Sequence, residues 1–316
     1  MPDSRAFAIP FAVCCAAVAL FAIMDATMKG LSLSIGLFNA LVWRALAGTL
    51  LGVALMLLMR QRWPSRDVLR LHLLRGTVVA VMASLFFWGI MRMPLAEAIA
   101  LSFIAPLVAL YLAALLLKER ISQRAVLASL LGLAGVAVIL SARLGGSYDG
   151  GALAGAIAVL LSALLFAWNL ILQRQQAQLA SPVEVAFFQH LVMFALFALA
   201  ALASWLTPSP FALAGLAESL RIPDARSWML VLLATVLAFT SLASFAWAYA
   251  RAEAQSLIPV EYSAFLWAAL LGWLIFAERL TLSTIAGAAL IVAGCLIAAG
   301  AGPVRRRAGR DVRADS

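Results

Sequence analysis

The sequence predicts an all-α polytopic membrane protein of ten transmembrane helices, arranged as two inverted five-helix repeats. Three observations predict it. Of 316 residues, 65% are hydrophobic and 12% charged, with a mean hydropathy of +1.04. A soluble domain is nearer to about 50% apolar and about 25% charged, so one aqueous core cannot hide this surface. The apolar residues fall in ten runs of roughly 20, the length that crosses a hydrocarbon layer about 30 Å thick. Finally, a shift of 159 residues lays Phe86, Trp88 and Arg92 on Phe245, Trp247 and Arg251, and Glu119-Arg120 on Glu278-Arg279.

The runs follow in order. The first, 8–29, carries Asp25 and is too long and too polar for a cleaved leader, so it is a spanning helix. Its Cys14 and Cys15, like Cys295 in the last run, have no metal or disulfide spacing and read as small buried hydrophobes. The second, 36–59, sets Arg44 on one face with Gly48 and Gly52, a small-residue stripe suited to close helix packing. The third, 71–91, contains Arg75 and Trp88. The fourth, 95–117, opens with Glu97, and a tight turn at Glu119-Arg120 leads into the fifth, 122–142. The sixth, 151–173, carries Trp168 and a polar stripe of Ser162, Asn169 and Gln173. In the seventh, 183–206, lie Gln189 and His190. The eighth, 228–250, ends at Tyr249; the ninth, 255–276, carries Glu261 and Tyr262; the tenth is 281–301.

The fronts of the halves also match: "LFAIMDATMK" (20–29) falls on "LFAWNLILQR" (165–174) with a shift of 145, which makes Gln189 the mate of Arg44. Five spans per half is an odd number, so the second copy is inserted upside down relative to the first. Inverted repeats of this kind build secondary transporters, with the substrate site near mid-membrane between the halves. The expected divisions are a first repeat at 1–146, a second at 147–302 and a basic tail at 303–316.

Orientation follows from Lys and Arg. Fifteen of them, including Arg60, Arg62, Arg66, Arg70 and five arginines after residue 304, fall on one side, and six on the other. The richer side is expected to be cytoplasmic, which puts both termini inside a cell (inner) membrane. The net charge of +9 therefore does not describe a nucleic-acid surface, since the cations sit in short loops and a tail that meets anionic lipid. Nothing in these features sets an oligomeric state.

Polar groups inside the spans are the candidate site. Glu261 lies about 10 Å deep in its helix, on a face with Ala268, Ala269 and Gly272. A carboxylate there needs a partner, a wet cavity or a proton, so it is either a ligand or proton site or half of a structural ion pair. Arg44 either binds a substrate carboxylate or phosphate with its fork of donors, or pairs with Asp25 or Glu97. Asn169, Gln189, Tyr249 and Tyr262 supply neutral hydrogen-bonding groups, and Trp88 and Trp168 either line a pocket or pack. Candidate proton carriers are Glu261, Glu97, His190 and Asp25. The repeated Glu119-Arg120 and Glu278-Arg279 are expected to fix hairpin turns locally.

The stretches "MPLAEAIALSFIAPLVALYLAALLLKERIS" (93–122) and "ARAEAQSLIPVEYSAFLWAALLGWLIFAERLT" (250–281), with Arg44 in "WRALAG", resemble the fourth, ninth and second helices of the EamA-type drug/metabolite transporters. The resemblance covers about 8–301 and departs at Lys118, where many relatives have glycine. It implies a ten-helix carrier of small metabolites with a central cavity and cytoplasmic termini, often working outward. The expected function is secondary export of small polar or amphipathic metabolites such as amino acids, by alternating access; the alternative is a flippase for a lipid or lipid-linked metabolite. An enzyme is disfavoured: two histidines far apart and no H-E-x-x-H, C-x-x-C or G-x-S-x-G leave neither a metal centre nor a nucleophile. No cofactor or metal is expected, and no nucleotide-binding motif for ATP-driven transport is present.

Overall fold

The computed structural model describes residues 4–105, 107–109, 111–112, 123–144, 150–206, 220–249 and 262–299. Ten helices lie among them: α1 Ser4–Ile35, α2 Leu37–Leu58, α3 Arg66–Ile90, α4 Leu95–Ser102, α5 Gln123–Leu144, α6 Gly150–Ala177, α7 Pro182–Leu206, α8 Ala225–Tyr249, α9 Ala264–Phe276 and α10 Leu282–Ala299. Six of these have the length and apolar composition to cross a membrane, from Ile9–Ile35 to Ala225–Phe245. Large apolar side chains such as Leu58, Leu199, Met229, Leu266 and Leu282 point outward, as lipid-facing surface requires. The chain is a multi-pass membrane protein.

Capping residues set the helix ends. Ser65 accepts the Val68 amide at the start of α3, and Ser181 accepts the Glu184 amide with Pro182 in the first position of α7. Asp224 does the same for α8 through Ser227, whose hydroxyl and amide hold the Asp224 carboxyl below its usual range. Thr281 caps α10. Phe103 closes α4 four residues after Ile99, just ahead of Pro106 in the sequence, a residue that can neither donate nor tolerate the preceding turn.

Of the boundaries that differ from the expectation, two move polar residues into helices. The first helix runs on to Ile35 and joins α2 through the single residue Gly36, whose φ of 84° favours glycine. Lys29, expected in a loop, is therefore inside α1 and buried. The third helix starts five residues early, at Arg66, so His72 and Arg75 sit in its second and third turns.

Packing obeys an exchange of helices five apart. α5 packs on α10, α2 on α7 and α4 on α9; α1 lies on α8 as α6 lies on α3, and α1 on α9 as α6 on α4. The α5–α10 crossing depends on glycine. A Cβ on Gly135 would stand 2.5 Å from the Gly287 carbonyl oxygen, and one on Gly287 would stand 2.6 Å from that of Gly135. One apolar core joins all ten helices except for satellite clusters at the α1–α8 and α2–α7 seams.

Candidate functional site

Helix direction gives the bundle two faces. One carries the start of α1, α3 and α7 and the end of α2, α6 and α8, and is called the N-terminal face below. At the opposite face, α9 ends through Ala277 in the left-handed region (φ 54°), with the amides of Ala277 and Glu278 both returning to the Gly272 carbonyl. That turn aims Glu278 away from Arg279, which is exposed, and back across the bundle. Its carboxylate takes the buried Lys29 ammonium on one oxygen and the Leu95 amide, the first of α4, on the other at 2.8 Å. Lys29 also donates to the Met93 carbonyl at 2.8 Å and lies over the Phe276 ring. Glu278 thus ties α1, α4 and α9 in addition to sitting at its hairpin turn. Beside it Glu97 accepts the Thr284 hydroxyl at 2.8 Å, joining α4 to the cap of α10.

One turn below Lys29 on the same face of α1 is Asp25, and Arg44 faces it from α2. Both are buried, at 2% and 5% exposure, and each is an electrostatic partner of the other. Yet no ion pair within 4.0 Å joins them, and among the described residues Asp25 Oδ2 and Arg44 Nε have no hydrogen-bond partner. Phe87 lies 6.0 Å from the guanidinium. Deeper, on α7, His190 donates from Nδ1 to the Ala186 carbonyl at 2.9 Å, stacks on Phe239 at 5.0 Å, and leaves Nε2 buried without a partner among the described residues. Its ring rests on Gly48 of α2, where a Cβ would come within 2.0 Å of Cδ2. Gln189 Oε1 is likewise buried and unpartnered. A buried charge or amide without a partner costs several kcal/mol at most sites, which makes these four groups candidates for contact with a ligand.

Ala186 and Phe239, the groups that hold His190, are also walls of a cavity of about 430 Å³ that reaches toward the N-terminal face. Val13, Leu55, Val183 and Trp247 make most of it apolar, and Thr240 and Ser244 add hydroxyls.

A separate polar chain links α3, α6 and α7. Arg75 donates to Asn169 Oδ1 and Gln176 Oε1, both at 2.9 Å; Gln176 Nε2 meets His72 Nδ1 at 2.9 Å; His72 Nε2 meets Glu184 Oε1 at 2.9 Å. Ser162 adds a bond to the Met82 carbonyl.

The expected residues are therefore distributed. Asp25, Arg44 and His190 come together at mid-bundle, with Gln189 next to His190 in the chain. Glu97 and Glu278 lie in the opposite-face tie. Asn169 is held by Arg75. Trp88 is half-buried under the Arg92 guanidinium, 3.5 Å from its ring centre, and Trp168 is exposed. Tyr262 is buried against Phe103. Glu261, Glu119, Arg120 and the Tyr249 side chain lie outside the described residues. Sequence reasoning missed Lys29, His72, Gln176 and Glu184 as site groups. The one available signal was Arg75, a lone cation in an apolar run whose partners lie about a hundred residues away.

Comparison with known proteins adds the following. The EamA-like transporter family model matches residues 8–141 and 153–300. The pseudopaline exporter CntI of Pseudomonas aeruginosa is 28% identical over 279 residues, covering 87% of this chain and 90% of that one. A riboflavin transporter of Brucella anthropi is 25% identical over 228 residues, covering 72% and 75%. A solved structure, described only as the crystal structure of a protein, superposes with a TM-score of 0.57 at 23% identity, over 93% of this chain and 96% of that one; that likeness concerns the fold.

Proposed function

The chain belongs to the EamA-like transporter family, and from that premise we propose that it is a secondary exporter of small polar or amphipathic metabolites such as amino acids. It is a transporter and not an enzyme, and its cargo is a small molecule. The observation that carries the proposal is the unjoined pair of buried charges. Asp25 and Arg44 offer one acceptor and one donor of opposite sign, with His190 Nε2 and Gln189 Oε1 as further acceptors. A molecule bearing both an ammonium and a carboxylate meets all four, whereas a simple sugar leaves the charges unneutralised. Arg44 holds an anion well because its planar fork is preorganised.

In this reading the repeats 1–146 and 147–302 rock against each other about the mid-bundle site, and 303–316 is a basic cytoplasmic tail. The opposite-face tie closes the periplasmic route, and the apolar cavity gives access from the cytoplasm. Both termini are inside. Glu261 belongs to the inward-facing set on its sequence face. Export is the direction favoured by the name of one relative, the pseudopaline exporter. The mostly apolar cavity favours a second reading, a flippase for a lipid-linked metabolite, because its walls suit an acyl or prenyl chain better than a bare zwitterion.

Thermal stability of the purified protein, screened against amino acids, nucleosides, flavins and lipid-linked precursors, tests these readings. A ligand at about a hundred times its Kd stabilises the fold by about 2.7 kcal/mol. An amino-acid hit retained in wild type and lost in Arg44→Gln and Glu261→Gln supports the first reading; hits confined to lipid-linked compounds select the second. Orientation has its own check. Cysteines placed at 210–220 are expected to react with an impermeant reagent from outside, and labelling only from the cytoplasm would reverse the topology.

A further inference from the structure

The chain from Arg75 to Glu184 is a buried polar network that neither the mid-bundle site nor the opposite-face tie uses, and its proton positions follow from chemistry alone. Arginine has donors and no acceptor, so the Gln176 atom facing Arg75 is its carbonyl Oε1. The amide NH₂ of Gln176 must then face His72 and donate to Nδ1. An Nδ1 that accepts leaves the imidazole proton on Nε2, where it is donated to Glu184 Oε1. His72 is 1% and Arg75 3% exposed. The network therefore has one polarity, one positive and one negative end, and a neutral histidine between them.

A second proton on His72 cannot be accommodated without breaking it. The proton has to go to Nδ1, which then needs an acceptor. The available one is Gln176 Oε1, and turning it toward His72 rotates the NH₂ onto the Arg75 guanidinium, donor against cation. The Arg75–Gln176 bond is lost, and Arg75 keeps only Asn169. Among the described residues, the charged groups facing the imidazole are Glu184 from α7 and Arg75 from its own helix. From α6 the facing groups are the neutral Gln176 and Asn169, and Phe188 lies flat on the ring at 4.6 Å. Formation of the imidazolium takes the network from net zero to one positive charge.

We propose that His72 is a proton-binding site that latches α3 to α6, opened when a proton on Nδ1 turns the Gln176 amide and releases Arg75. Its placement supports coupling to movement of the halves. α3 belongs to the first repeat and α6 and α7 to the second, so the latch spans the seam on which they rock. The exchanged seam has no equivalent. The repeat mates of His72, Arg75, Asn169 and Gln176 are Val231, Ala234, Met24 and Leu31. A proton would thus act on one side of the carrier cycle only. That link to turnover rests on the carrier reading; the latch itself does not.

The chain has two histidines, so protein labelled with ¹⁵N-histidine gives two imidazoles, and His190→Gln leaves His72 alone. As the solution is acidified, His72 is expected to pass from the Nε2–H tautomer to the imidazolium. Hydrogen exchange over residues 166–178 should rise about tenfold or more with it, as loss of one charged hydrogen bond allows. Gln176→Glu provides the decisive contrast. A carboxylate accepts from Arg75 and from Nδ1–H at once, so His72 should hold both protons through the range with no change in exchange. An Nδ1–H tautomer at the alkaline end, an imidazole that stays neutral to the acid end, or the same exchange rise in Gln176→Glu overturns the latch. Where His190→Gln lowers the yield, the wild-type two-histidine spectrum gives the same reading. Transport measured in parallel keeps the two proposals apart. A working latch in a protein that moves none of the screened solutes counts against the carrier reading alone.

Discussion

Glu278→Gln is expected to lower the unfolding free energy of the detergent-solubilised protein by about 3–5 kcal/mol, the range for breaking one side of a buried ion pair. The glutamine can still accept the Leu95 amide, so the start of α4 stays capped. What is lost is the countercharge of Lys29, which lies inside α1 and keeps only the Met93 carbonyl and the Phe276 face. A buried ammonium without a carboxylate is the source of the cost. Lys29→Met combined with Glu278→Gln removes both charges and should recover most of it, since an apolar replacement of a whole buried pair is often neutral. Because the tie holds α1, α4 and α9 at one face, the single variant should also admit impermeant thiol reagents from that face. A loss below about 1 kcal/mol, the size of an exposed pair, would show that water already reaches Lys29 and that the tie closes nothing.

The second large effect concerns turnover. Arg44→Gln is expected to reduce transport in proteoliposomes by at least a hundredfold, in keeping with the roughly 2–5 kcal/mol lost when one member of a buried charge pair is truncated. Among the described residues its guanidinium is the charge that faces Asp25, so an anionic moiety loses its cationic donor when it is truncated. Asp25→Asn with Arg44→Gln should restore thermal stability without restoring transport. That split separates a ligand site from a structural pair, because a structural pair would recover both. Gly48→Ala probes the same site sterically. Its methyl enters the space of the His190 ring, and overpacking of that kind costs about 1–3 kcal/mol. Gly30→Ala, with only ordinary contact to Phe276 at 3.9 Å, is the control.

Much of the architecture was legible in the sequence, because its signals are local. Run length gave the helices, and the repeated Glu-Arg turns gave the inverted halves. Arg44 and Asp25 stood out because a charge in an apolar run is rare, and Gly48 beside Arg44 marked the face that α7 approaches. The tie and the latch were not legible. Lys29 looked like a loop residue because α1 was expected to end there, and a single glycine at φ 84° carries no hydropathy signal. Glu278 looked local because its sequence neighbour is an arginine, yet an unusual left-handed alanine turns it toward a helix some 250 residues away. His72 and Glu184 each sit near a helix start, where polar residues are ordinary, and only packing α3 on α6 and α7 brings them together. The repeat gave no help, since their symmetry mates are Val231 and Asn39.

The one-residue joint at Gly36 also bears on selectivity. A connection of one residue leaves only its own φ and ψ between two helices of 32 and 22 residues, so α1 and α2 tilt against each other only by hinging at Gly36. Asp25 and Arg44, eleven residues before the joint and eight after it, then work as the jaws of a caliper set by covalent geometry. The gap between them is then set by the angle at that hinge. On the carrier reading proposed above, the length between a solute's charged ends, more than the bulk of its remainder, is what that angle matches.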